Sequence, residues 1–208
     1  SAAGLEAVDG ILLDLGLNSW TLARPEKGLS YTVDVPLGMA LDPDLRRTAA
    51  DLLANVTENQ LARLLAEYGG VRRARLFARR IVEARRRAGL RTTGDLVRAV
   101  QGGVPGSVRE DELSQIFQAV RVEVGEEMAR LEEFLARVGE WVKPRGRLVI
   151  ISYGSHEDSR AKDFARSGEG SPGGFGPLLR KTLRPGEEEI RRNRRARSAR
   201  MRVFVKGG

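Results

Sequence analysis

Cysteine is absent from the chain, and histidine occurs once, as His156. Without thiols there is no disulfide, no thiolate nucleophile and no cysteine-based zinc or iron–sulfur centre, which fits a reducing compartment. A single imidazole excludes most histidine-rich metal sites and leaves a Ser–His triad unsupported. No stretch approaches the run of about 20 apolar residues that a membrane helix requires, so no membrane span is expected. Gly-x-Gly-x-x-Gly and Walker-type phosphate loops are missing too: the glycines of residues 167–177 follow no strand, and Gly102-Gly103 falls between helices. The opening Ser1-Ala2-Ala3-Gly4 has no basic segment leading into an apolar core, so no secretory signal is expected there.

What is present suits an ordinary folded chain. Its 208 residues, 41% of them hydrophobic, can bury the core of one domain, or of one domain with a sizeable insertion. The net charge of +8 is localised: residues 180–208 hold eleven Lys or Arg against Glu187, Glu188 and Glu189, and the rest of the chain is balanced. Such a segment either attracts phosphate backbones and acidic surfaces or forms a solvated basic strand and helix.

Residues 8–17 are an apolar run closed by Asp14 and Gly16, the pattern of a strand buried on both faces. Residues 18–56, with Pro25, Gly28, Pro36, Gly38 and Pro43, show no sustained period and read as a long irregular crossing with a helical turn near 46–54. Capping-box spacing then marks three helix starts, Thr57 with Gln60, Thr92 with Asp95 and Ser107 with Glu110. The first leads into Leu61, Leu64, Leu65 and Tyr68, is interrupted at Gly69-Gly70, and resumes through Ala74, Phe77, Ala78, Ile81 and Val82. The third leads into a single long helix from Leu113 through Val138, stopping before Pro144. Residues 146–153 read as a second buried strand after the turn Lys143-Pro144-Arg145-Gly146. Residues 167–177, with five glycines and two prolines, read as a flexible loop. A short basic helix near 187–193 and a last strand over 198–206 complete the chain. The order implies an α/β protein with a helical subdomain inserted between two neighbouring strands. Three strands leave an uncovered sheet edge, which another segment or chain would have to fill.

Polar chemistry gathers at the strand ends. Asp14 lies where open α/β sheets bind ligands, beyond the carboxyl ends of their strands, though position alone favours its capping the following turn. Ser152-Tyr153-Gly154-Ser155-His156-Glu157-Asp158 ends the second strand. Those side chains could hold a base by stacking and hydrogen bonds, or could simply be the acidic first turn of a helix capped by Ser155. Gln118 and Arg121 share one helix face, either reaching a phosphate or pairing within the fold. Arg195, Arg197, Arg200 and Arg202 suit phosphate contact, with Phe204 the one aromatic residue in that region.

Together the strings Asp9-Gly10-Ile11-Leu12-Leu13-Asp14-Leu15-Gly16-Leu17-Asn18-Ser19, Pro25-Glu26-Lys27-Gly28-Leu29-Ser30-Tyr31 and Pro36-Leu37-Gly38-Met39-Ala40-Leu41-Asp42 resemble the ribosomal RNA small-subunit methyltransferase H (MraW) family. Phe77 to Val82, Thr92-Thr93, Phe117 to Val122, Gly146 to Tyr153, Glu157-Asp158 and Arg195 to Arg202 agree in the same order. The resemblance implies a partial Rossmann-like S-adenosylmethionine-dependent methyltransferase sheet with an all-helical insert. Residues 1–44 and 142–208 would form the C-terminal part of that domain and residues 45–141 the insert. It implies N4 methylation of a cytidine in small-subunit ribosomal RNA, without a metal, in a cytoplasm or an organelle matrix or stroma. By the same resemblance Asp14, Gly16, Ser19 and Thr21 are expected on the S-adenosylmethionine cofactor, and Ser152, Tyr153 and Ser155 on the reacting base. Arg121, Arg195, Arg197, Arg200 and Arg202 are expected on RNA. The partner would be small-subunit ribosomal RNA or the small ribosomal subunit, with a second copy or another chain over the sheet edge.

The chain departs from the family pattern at several positions. Thr21 stands for a cofactor-contacting Gln, Gly38-Met39-Ala40-Leu41 for Asp-Met-Arg-Met, and Gly125 for an Asn. Tyr153-Gly154-Ser155 stands for Phe-His-Ser, with His156 two residues beyond the lost histidine. Family members also carry, ahead of the matched part, a Gly-Gly-Gly-His-like cofactor loop and an acidic residue that holds the ribose. These changes define an alternative, a catalytically inactive RNA- or ribosome-binding relative that has lost the cofactor site.

Overall fold

The computed structural model describes residues 6–16, 24–42, 44–102, 108–166 and 174–208. Its elements run β1 (Val8–Asp14), then helices α1 (Ala49–Asn55), α2 (Glu58–Gly69), α3 (Ala74–Ala88), α4 (Thr93–Gln101), α5 (Glu110–Val124) and α6 (Glu127–Arg137). Strand β2 (Val142–Ser152), helix α7 (Ser155–Arg166), strand β3 (Phe175–Pro177), helix α8 (Glu187–Arg192) and strand β4 (Arg200–Lys206) follow. The α/β class expected from the sequence is what forms.

The chain divides into two compact units, Ser1–Gly16 with Met128–Gly208, and Leu17–Glu127. In the first, the strands form one sheet in the order β1-β2-β4-β3. β1 and β2 are parallel, with Asp14 opposite Ile151, and β4 runs antiparallel to both β2 and β3. Phe204 of β4, Phe175 of β3 and Phe164 of α7 meet over this sheet, with ring centroids 5.6 Å apart for Phe164–Phe175 and 5.3 Å for Phe164–Phe204. Aromatic contacts of this geometry, added to apolar burial, hold α7 on the sheet.

The second unit is built on helices whose starts are chemically specified. Thr57 and Gln60 close one reciprocal capping box and Thr92 and Asp95 another, as their spacing predicts. Thr48 and Asp51 close a third, at the start of α1. Gly70 ends α2 in the left-handed region, and α3 begins four residues later. Leu53, Leu61, Leu65, Phe77, Ile81 and Ile116 are fully buried between these helices. The irregular segment 24–42 adds Leu29, Leu37 and Met39 to that core. It is fastened to α4 through Thr93, whose hydroxyl donates to the Val33 carbonyl at 2.7 Å and accepts from the Val35 N–H at 3.0 Å. The Asp34 carboxylate accepts from the Gly94 N–H at 2.8 Å.

Four local expectations are corrected. The long helix is two, because the chain turns at Gly125-Glu126, where Glu126 adopts φ +51°. Its start is Arg109, whose N–H donates to Glu112 at 3.2 Å; Ser107 lies outside the described residues. The Lys143-Pro144-Arg145-Gly146 turn lies within β2 as a bulge: β1 advances from Val8 to Gly10 while β2 advances from Val142 to Arg147. Phe175–Pro177, read as flexible loop, is a strand whose Phe175 is buried, because it pairs with β4.

Candidate functional site

β1 and β2 end side by side, so their carboxyl termini place two polar groups together. The Leu15 N–H still donates to the Ile151 carbonyl at 2.9 Å, and past it Gly16 turns the chain with φ +97°. The ring edge of Tyr153 lies against Gly16, and the Tyr153 hydroxyl donates to Asp14 Oδ1 at 3.2 Å. Tyr153 nevertheless remains 38% exposed. Burial of its ring edge, the Asp14 charge and hydrogen bond, and then the Glu157 and Glu189 carboxylates push the phenol above its ordinary ionisation range. The strand ends therefore carry a locally anionic environment within a chain of net charge +8.

Glu157 fixes this arrangement from below. As the third residue of α7 it accepts from the Tyr153 N–H at 2.9 Å and the Gly154 N–H at 2.8 Å, binding the end of β2 to the start of the helix. The Gly154-x-x-Glu157 spacing is the signal that identifies it; the sequence patterns alone leave Glu157 either among the base-holding groups or in the acidic first turn of a helix, and neither is this backbone-capping role. Ser155 sits exposed at the first position of α7. His156 is buried, and its ring packs over the α carbon of Gly154: a Cβ there would lie 2.4 Å from the imidazole Cε1. The imidazole thus lies inside the fold, against the position where the family pattern has its histidine.

The remaining residues singled out by sequence fall into distinct settings. Ser152 is buried, and its hydroxyl donates to the Arg200 carbonyl at 3.4 Å across the β2–β4 pair. Ser19 and Thr21 lie outside the described residues. Arg121 is buried, 3.4 Å from Glu127. Arg202 forms a two-pronged pair with Asp158, 2.8 Å and 3.2 Å long, that joins β4 to α7. Arg195 and Arg197 are exposed on a short 3₁₀ turn, Arg194–Ser198, where the Asn193 side chain accepts from the Arg195 N–H at 3.1 Å. Arg200 is half-buried at the start of β4. A cleft of about 400 Å³ lies in the helical unit between Arg47, Asn55, Arg63, Tyr68 and Glu123, and none of the sequence-predicted residues lines it.

These groups can do two kinds of chemistry. Asp14 uses Oδ1 toward Tyr153, and Oδ2 makes no hydrogen bond among the described residues, so the carboxylate can meet an ammonium or sulfonium group. Exposed arginines of the 194–198 turn can meet phosphate. Among the described residues no helix is long and apolar enough to cross a membrane.

Comparison with known proteins gives concordant results. The family model described as the MraW methylase family matches residues 1–207. A ribosomal RNA small subunit methyltransferase H of Carboxydothermus hydrogenoformans is 39% identical over 98% of this chain and 70% of that protein. Proteins of the same name from Flavobacterium johnsoniae and Methylococcus capsulatus are 39% and 40% identical, over 98% and 96% of this chain and 70% of each protein. The mixed four-stranded sheet and its helices agree with the Rossmann-like methyltransferase fold of that family.

Proposed function

This chain belongs to the MraW methylase family, and on that premise we propose that it is an S-adenosylmethionine-dependent methyltransferase acting on N4 of a cytidine in small-subunit ribosomal RNA. The observation that supports the reading is the Asp14–Tyr153 pair at the carboxyl ends of parallel β1 and β2, an anionic spot in a cationic chain. The donor set fits the cofactor at its cationic end, where a carboxylate complements an ammonium or sulfonium. S-adenosylmethionine supplies an activated methyl group when bound. Asp14 holds the cationic end, Gly16 lets the chain pass close by, and the exposed Tyr153 ring and Ser155 hydroxyl orient the base. Most of the rate would then come from positioning, and because N4 must give up one proton as or after it accepts the methyl group, the step calls for a proton acceptor such as water and for no proton donor. Arg195 and Arg197 hold the RNA backbone outside the site. The sheet unit is read as part of the methyltransferase domain, and the helical unit, into whose core residues 24–42 pack, as its insert.

The test is transfer of a labelled methyl group from S-adenosylmethionine to small-subunit RNA and to assembled small subunits, with nuclease digestion to identify the product nucleoside. N4-methylcytidine is the expected product. RNA binding without any transfer would overturn the reading and leave a non-catalytic relative. The R195A/R197A double variant should weaken RNA binding and flatten the dependence of log affinity on log salt by roughly 1.5, two single-strand phosphate contacts' worth.

A further inference from the structure

We propose that Tyr153 is a positioning residue: its hydroxyl holds the Asp14 carboxylate in the orientation that receives the cationic end of the cofactor. The inference rests on the methyl-transfer reading and deepens it. An unconstrained aspartate at a strand end samples several rotamers, and each wrong one must be given up on binding. Here a chain of contacts restricts the exposed Asp14 side chain. Glu157 fastens the backbone of Tyr153 and Gly154 to the first turn of α7, the Tyr153 ring is placed against Gly16, and the phenol donates to Asp14 Oδ1. Oδ2 makes no hydrogen bond among the described residues and is left for the ligand.

A phenylalanine ring would keep the contact with Gly16 and lose only the donated hydrogen bond. The phenol's ionisation, already displaced upward by burial and by Asp14, reports on the pair independently of any ligand.

The experiment has two arms on the full chain. Tyrosine ionisation is followed by ultraviolet difference absorbance in a Y31F/Y68F background, where Tyr153 is the one phenol left of three. Asp14→Asn should lower its ionisation midpoint; an unmoved midpoint would overturn the pair and the proposal with it. In the second arm, calorimetric titration with S-adenosylmethionine compares the parent chain with Tyr153→Phe. Affinity should fall by roughly tenfold, the size of one hydrogen bond to a charged group, with an unchanged urea midpoint showing that packing is intact. Equal affinities in parent and variant would overturn the positioning role while leaving the methyl-transfer reading in place. No binding by the parent chain would overturn that reading, and the role in cofactor binding with it, while the first arm would still decide whether Tyr153 holds Asp14.

Discussion

The helical and sheet units handle their apolar side chains differently. In the helical unit a continuous set from Leu29 to Val124 closes on itself. Of the six large apolar or aromatic side chains exposed among the described residues, five belong to the sheet unit: Leu12, Tyr153, Leu178, Leu179 and Leu183. Leu12 is 65% exposed on β1, which among the described residues pairs only with β2. A helix can satisfy its backbone alone and needs only one face covered, whereas a strand leaves edges and faces that its neighbours must complete. The unit that carries the candidate site is thus also the one with surface left uncovered.

Substitutions in the two units should therefore differ in size. Phe77→Ala, at a fully buried position of α3, should lower stability by about 3–5 kcal/mol in urea unfolding followed by circular dichroism, and a much smaller loss would mean a loosely packed helical core. Arg73→Ala should lower the urea midpoint by less than Phe77→Ala does, because it strips the buried Glu112 of a partner 2.9 Å away whose hydrogen bond holds its carboxyl below the usual range, and an unmoved midpoint would show the pair to be dispensable. Asp95→Ala should cost about 1 kcal/mol at neutral pH through loss of the α4 cap. The Arg91 N–H, the Arg98 guanidinium and the Thr92 N–H hold the Asp95 carboxyl down to about 2, from an ordinary 3.8. Because the folded value is the lower one, this contribution is complete above 3.8 and is lost as pH falls toward about 2, so the difference between parent and variant should shrink across that window. Leu178→Ser, on the exposed side of the sheet unit, should stay within about 0.5 kcal/mol of the parent; a larger loss would show that this leucine is packed.

Features set by neighbours in sequence were the legible ones. The Thr57 and Thr92 boxes and the Gly69-Gly70 break follow from side chains that reach three residues or from a backbone that only glycine adopts freely. The Thr48–Asp51 box carries the same spacing but is masked by its setting, because residues 18–56 contain proline and glycine and lack a period. Features set by distant partners were not legible. Phe175–Pro177 has no alternation of its own and becomes a strand by pairing with β4. Asp14 and Tyr153 were each visible at a strand end, but their contact required β1 and β2 to be adjacent and parallel. Arginine type alone likewise could not separate Arg202, bound to Asp158, from the exposed Arg195.

The packing of His156 over Gly154 makes these two positions a single unit of mutational change. A side chain introduced at 154 while the imidazole stays in place would be driven into a buried ring, whereas the same change made after 156 has become smaller is relieved of that clash. The order of substitution therefore matters, and libraries that vary position 154 alone should return glycine even where a larger residue would be accepted beside a smaller one at 156.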